Sequence, residues 1–171
     1  DAFEGLGGTT LAVSVGSPFA VFLQQKGYLR EVKVVPYFGG IGQFVTNPKF
    51  AQQAYSFSEP LLAEREETPA KTLMLSDIGF NPYMGLLVTL DKTLEERNEV
   101  SAKFVAASIR GWRHYLTEPE ETNRHLATLN ESLDKELLAK GVAALRPLCR
   151  EPMDKEFGSM EPSRWETLAG Q

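Results

Sequence analysis

The chain has 171 residues, a net charge of −5, and 42% hydrophobic and 24% charged residues, enough for one ordinary domain or two small lobes. The acidic balance excludes a general nucleic-acid binder, which carries a basic face, and no apolar run approaches the roughly 20 residues that span a bilayer. A single cysteine, Cys149, excludes an intrachain disulfide, and with only His114 and His125 beside it a structural zinc site is not expected.

In chain order, the opening Asp1-Ala-Phe-Glu lacks the basic start and apolar core of a signal peptide. Gly7-Gly8 is a turn, and Thr9 to Val15 reads as a buried strand. Gly16-Ser17-Pro18 follows. Ser17 suits an N-cap and Pro18 a first helical residue, before a helix from Phe19 to Lys26 that Gly27 stops. Such a turn serves either as a plain capped connection or as a cradle of backbone N–H groups for an anion or a polar ligand edge. It carries neither of the glycine-rich phosphate fingerprints.

Val32 to Tyr37 reads as a second strand, and Phe38 to Val45 as a glycine-rich turn with a short helix, stopped at Thr46-Asn-Pro. Gly39 and Gly40 allow positive φ and a close backbone approach. Ala54 to Ser58 alternates as a third strand would, and Pro60 to Glu67 suits a helix with proline in its first turn. Glu59 stands at that junction. There it either meets a ligand through its carboxylate or stabilises the dipole of its own helix. The three junctions repeat strand, turn and helix, and a parallel sheet would bring all of them to one edge, where open α/β sheets meet ligands.

Lys71 to Ser76 and Met84 to Leu90 read as a fourth and fifth strand around a turn at Asp77 to Tyr83, giving βαβαβαββ, an α/β pattern. From about Thr93 the chain becomes helical. Val100, Phe104, Ala107, Ser108, Gly111, Trp112 and Tyr115 form one stripe, read as core. Thr117-Glu-Pro-Glu reads as a capping box, Asn130 or Ser132 as the cap of a helix lined by Leu133, Leu137, Leu138, Val142 and Leu145, and Glu161 as the start of a last helix. His114 and His125 have no motif around them, so no catalytic triad can be assembled.

Val15-Gly-Ser-Pro-Phe, Val35-Pro-Tyr-Phe-Gly-Gly-Ile-Gly-Gln-Phe, Gln52-Gln-Ala-Tyr-Ser-Phe-Ser-Glu-Pro-Leu-Leu-Ala-Glu, Asn81-Pro-Tyr and Ala106-Ala-Ser-Ile-Arg-Gly-Trp-Arg-His-Tyr-Leu-Thr-Glu-Pro occur in this order. Over roughly residues 5 to 170 the series resembles the substrate-binding proteins of ABC importers, in the thiamine-pyrimidine-precursor and nitrate/sulfonate/taurine-like group. The resemblance implies a periplasmic-binding-protein-like type II α/β fold. Residues 1–90 would form one ligand-binding lobe, and 91–171 would be helices of a second lobe whose N-terminal half this chain lacks. It implies ligand contacts from Gly16, Ser17, Gly39, Gly40 and Glu59, with Asn81, Pro82 and Tyr83 near the crossing between lobes. The implied partners are a small-molecule solute and an ABC-transporter permease, in a periplasmic or extracytoplasmic setting, with no cofactor, no catalysis and no nucleic acid. A related group makes the thiamine pyrimidine enzymatically, which leaves an enzyme on the same scaffold as the alternative. A further one is a non-binding fragment whose uncovered helices pair with another copy or with the absent half-lobe. Sulfonate, taurine or nitrate are the alternative ligands.

Overall fold

The computed structural model describes residues 3–130 and 132–171. The chain divides into two units, Asp1–Asn81 with Trp165–Gln171, and Pro82–Arg164.

The first unit is built on a parallel three-stranded sheet. Strands β1 (Thr10–Val13), β2 (Lys33–Pro36) and β3 (Phe50–Gln52) lie in the order β2-β1-β3. Thr10 pairs with Lys33 on one side and with Phe50 on the other. The central strand is the apolar one, with Leu11, Ala12 and Val13 buried, as expected of a strand covered on both faces. Helix α1 (Pro18–Gln25) follows β1, α2 (Gly42–Thr46) precedes β3, and α3 (Glu59–Arg65) follows it. The spacing of Phe19, Phe22 and Leu23 turns one face of α1 onto a core with Phe3, Leu6 and Phe80. The Phe22 and Phe80 rings lie 5.1 Å apart between centroids. Leu73, Leu75, Ile78 and Leu168 pack against this core from outside the sheet.

The second unit is helical, with α4 (Asp91–Glu96), α5 (Asn98–Thr117), α6 (Glu120–Leu129) and α7 (Lys135–Leu145). Its core holds Leu116, Leu137 and Val142. The buried Asn123 is satisfied there, because its Oδ1 accepts from the Tyr115 hydroxyl at 3.1 Å. A last helix, α8 (Pro162–Ala169), ends the chain.

Several sequence expectations are corrected. Ala54 to Ser58 is not a strand. β3 lies earlier, at Phe50–Gln52, because the ladder with β1 is formed there, while Tyr55 and Phe57 stack on each other at 5.3 Å within the following turn. Lys71 to Ser76 forms no strand; its apolar residues fold into the core and a 3-10 turn begins at Leu75. Met84 to Leu90 also forms none, and most of its side chains are exposed. Among the described residues neither segment has a ladder partner, and β-propensity without a partner does not make a strand.

The apolar stripe on α5 is core only at its C-terminal end, since Val100, Phe104 and Trp112 are exposed while Tyr115 is half-buried against Asn123. The face that packs is the one carrying Ile109, Arg113 and Leu116. A Cβ on Gly158, at φ +85°, would come within 2.8 Å of Ile109, and Arg113 donates to the Asp154 carbonyl at 2.7 Å. Thr117 caps nothing; its hydroxyl bonds back to the Arg113 and His114 carbonyls. Neither Asn130 nor Ser132 caps α7. Asn130 Oδ1 instead accepts from Ser132, and Asp134 Oδ1 takes the cap bond from the Leu137 N–H at 2.8 Å.

Candidate functional site at the sheet edge

Because the sheet is parallel, the three strand-to-helix junctions emerge on one edge. The ladder runs slightly past the strands, with Tyr37 N–H donating to the Val13 carbonyl and Gln53 N–H to the Ala12 carbonyl, each at 2.9 Å. At the first junction Gly16 adopts φ +76°, and the Ser17 hydroxyl donates to the Ser14 carbonyl at 2.5 Å. Ser17 precedes α1 in extended conformation, but its side chain makes no cap bond. At the second junction Gly39 and Gly40 hold φ +90° and +74°, a pair of left-handed residues that only glycine adopts at little cost. At the third, Glu59 is the first residue of α3.

The outer junctions are bonded to each other although β1 separates their strands. Gln52 Nε2 donates to the Gly40 carbonyl at 2.9 Å. The Tyr37 hydroxyl lies 3.4 Å from both the Gly40 carbonyl and Glu59 Oε1. Glu59 Oε2 accepts from the Tyr55 N–H at 2.8 Å, so the carboxylate fixes its own loop as well as facing the junction. Gln53 Oε1 accepts from the Ser14 N–H at 2.6 Å and joins the third junction to the first.

The structure therefore brings Gly40 and Glu59 into one bonded group, with Gly39 beside Gly40 and with Gly16 and Ser17 on the same edge. Asn81 closes the first unit. Tyr83 lies in the second, where its hydroxyl accepts from the Glu161 N–H at 2.8 Å and its ring sits 4.0 Å below the Arg164 guanidinium. Arg164 also donates to the Pro82 carbonyl at 2.9 Å. Sequence reasoning passed over Tyr37, Gln52 and Gln53. The adjacent amides at a strand end were the signal, since a polar pair there is poor in core and well placed to bond across a sheet edge.

Burial, then the charge of Glu59 and the hydrogen bond to it, raise the Tyr37 phenol above its usual 10.0. A group whose folded value is raised stabilises the fold while protonated, here below about pH 10, and loses that contribution as pH rises through the folded value. The stability difference between the wild-type chain and Tyr37→Phe, measured by urea unfolding, is expected to be constant from pH 7 to 9 and to shrink above about pH 10. A difference that stays constant to pH 11 would show that the bond to Glu59 contributes nothing.

Among the described residues no three or more His, Cys, Asp or Glu side chains converge as a metal site would require, and no helix is long and apolar enough to cross a membrane. A hollow of about 580 Å³ in the second unit, bordered by Leu116, Arg146 and Glu151, contains none of the nominated residues.

A family model described as NMT1/THI5 like matches residues 8–122, two thirds of the chain and all three junctions. The chain belongs to the NMT1/THI5-like family. Membership supports a solute-binding or related function for the NMT1/THI5-like region, and the three-stranded parallel α/β sheet is consistent with one lobe of a binding-protein fold. No curated protein matches the chain.

Proposed function

We propose that this chain is the solute-binding component of an ABC importer and captures a small polar solute that carries hydrogen-bond donors, such as a thiamine pyrimidine precursor. The observation that carries the reading is the bonded group of Tyr37, Gly40, Gln52 and Glu59 on the edge where Gly16 and Ser17 also lie. Glu59 offers a carboxylate to N–H or O–H groups. The three junctions, Ser14 to Ser17, Tyr37 to Ile41 and Gln53 to Glu59, contain no lysine or arginine. A sulfonate or nitrate would thus meet one carboxylate and no cation, an arrangement that penalises anions. The role is non-catalytic and needs no cofactor. The partner downstream is a permease, and the setting is periplasmic or extracytoplasmic.

A thermal-shift screen tests this. Aminopyrimidines, thiamine, taurine, alkyl sulfonates and nitrate are compared at equal concentration. A ligand at 100 times its Kd stabilises by about 2.7 kcal/mol, or roughly 5–10 °C for a chain of this size. The expected result is a shift with aminopyrimidines and none with the anions. A shift with sulfonates or nitrate alone would overturn the donor-bearing assignment.

A further inference from the structure

Independently of the solute reading, we infer that α5 is a self-association surface, along which a second copy of this chain packs antiparallel through Val100, Phe104, Ala107 and Gly111. These four recur at helical spacing and form one stripe on a helix of 20 residues. Ile109, Arg113 and Leu116 hold the opposite side of the helix inside the second unit. The stripe is uncovered: Val100 is 57% exposed, Phe104 61%, and Ala107 and Gly111 are exposed with them. Scattered exposed apolar residues are ordinary, but a continuous row of them along a helix marks a surface that something covers. Gly111 points the same way. A glycine in a helix interior weakens the helix relative to alanine. Yet a Cβ added at Gly111 meets nothing within 4 Å among the described residues. No contact inside the chain calls for a glycine there, whereas a second backbone approaching from outside does.

The occupant follows from the order of sizes and charges along the stripe. Its N-terminal half carries the large side chains, Val100 and Phe104, and its C-terminal half the small ones, Ala107 and Gly111. Two parallel copies would set large on large and small on small. Two antiparallel copies set Val100 of one against Gly111 of the other and Phe104 against Ala107, on both sides of a two-fold axis, as an isologous contact requires. Charge agrees. Glu99 and Arg110 are both exposed and lie on the same flank of the stripe, toward opposite ends. Antiparallel pairing brings Glu99 of each copy within a helical turn of Arg110 of the other. Parallel pairing would face them with the other flank, Ser101, Ser108 and Trp112, which carries no charge. Glu99 is already held on its flank by Lys103, 2.6 Å away on the same helix. One helix seam is at the small end of protein interfaces, so association in the micromolar range is expected.

The test is sedimentation equilibrium of the whole chain from about 1 μM to 1 mM, for the wild type, Gly111→Leu, Glu99→Arg, Arg110→Glu and the variant with both charge changes. The wild type is expected to move from the chain mass to twice that mass. Gly111→Leu fills the close approach and is expected to weaken the dimer about 10-fold or more. Leucine is the better helix former, so the circular dichroism of this variant at low concentration should keep the full helical signal, which separates the seam from the fold. Each single charge variant is expected to weaken the dimer, and the double variant, which restores opposite charges across the axis, to regain it. A wild type that stays at the chain mass would overturn the proposal and leave the stripe to a different chain. A dimer untouched by Gly111→Leu would put the interface elsewhere and overturn it as well. Single charge variants as tight as the wild type, or a double variant no tighter than the singles, would overturn the antiparallel order.

Discussion

Replacing Phe22 with alanine is expected to lower the stability of the first unit by about 3–5 kcal/mol, a large share of the roughly 5–15 kcal/mol that holds a typical domain together. Phe22 is 3% exposed, lies on the inward face of α1, and meets Phe80 at 5.1 Å between ring centroids. The cost is the lost transfer of a ring from water plus the cavity left among Phe3, Leu6, Leu23 and Phe80. Its functional consequence follows from connectivity. α1 begins one residue after Ser17, so a loosened α1 also loosens the first junction at the sheet edge. Tryptophan fluorescence can isolate the unit. Trp165 belongs to the first unit and Trp112 to the second, so in a Trp112→Phe background the emission of Trp165 follows the first unit alone. Urea unfolding read this way should show the full loss. A loss below about 1 kcal/mol would mean that the α1–Phe80 contact is not the centre of the core.

How much of this was legible in the sequence depends on whether the deciding interaction was local. α1 was readable because its signals lie within ten residues, with Pro18 at the start, apolar residues at helical spacing and Gly27 at the end. β1 and β2 were readable as short apolar runs ended by glycine or proline. β3 was placed several residues too late, because the alternation of Tyr55 and Phe57 is the mark of a strand and also of a stacked aromatic turn. Only pairing with β1 decides between them. Met84 to Leu90 fails for the same reason, as does the α5 stripe. Val100, Phe104 and Trp112 are as apolar as any core face, and which face is covered depends on where the stretch from Asp154 to Gly158 packs. At the site, Glu59 and the glycine pair could be nominated from local pattern. The amide pair marked Gln52 as a residue able to bond across the edge, but its partner Gly40 could not be named, because that bond reaches past β1 and exists only through the register.

Glu59→Gln is expected to weaken binding of an aminopyrimidine by about 10- to 100-fold, the range for losing a charge-assisted hydrogen bond. The substitution keeps the shape of the side chain and removes its charge, but it is not silent in the free protein. Both carboxylate oxygens act as acceptors, Oε2 from the Tyr55 N–H and Oε1 from the Tyr37 hydroxyl. A glutamine oxygen can keep the Tyr55 N–H, and its NH2 group can donate to the Tyr37 hydroxyl oxygen, so both contacts can persist, but without the charge that strengthened them, at a cost of about 0.5–1.5 kcal/mol in stability. Tyr37→Phe gives the reference, since it removes the Oε1 bond and leaves the charge in place. If Glu59 serves only its own loop, Glu59→Gln and Tyr37→Phe lower the melting temperature similarly and leave affinity alike. If it also holds the solute, affinity falls in Glu59→Gln far more than in Tyr37→Phe. The sign of the effect also separates the ligand classes. Removing a negative charge weakens binding of a donor-bearing ring, but it relieves repulsion and strengthens binding of taurine, a sulfonate or nitrate. Tighter binding of an anion by Glu59→Gln than by the wild type would therefore overturn the aminopyrimidine assignment and put the anion in its place.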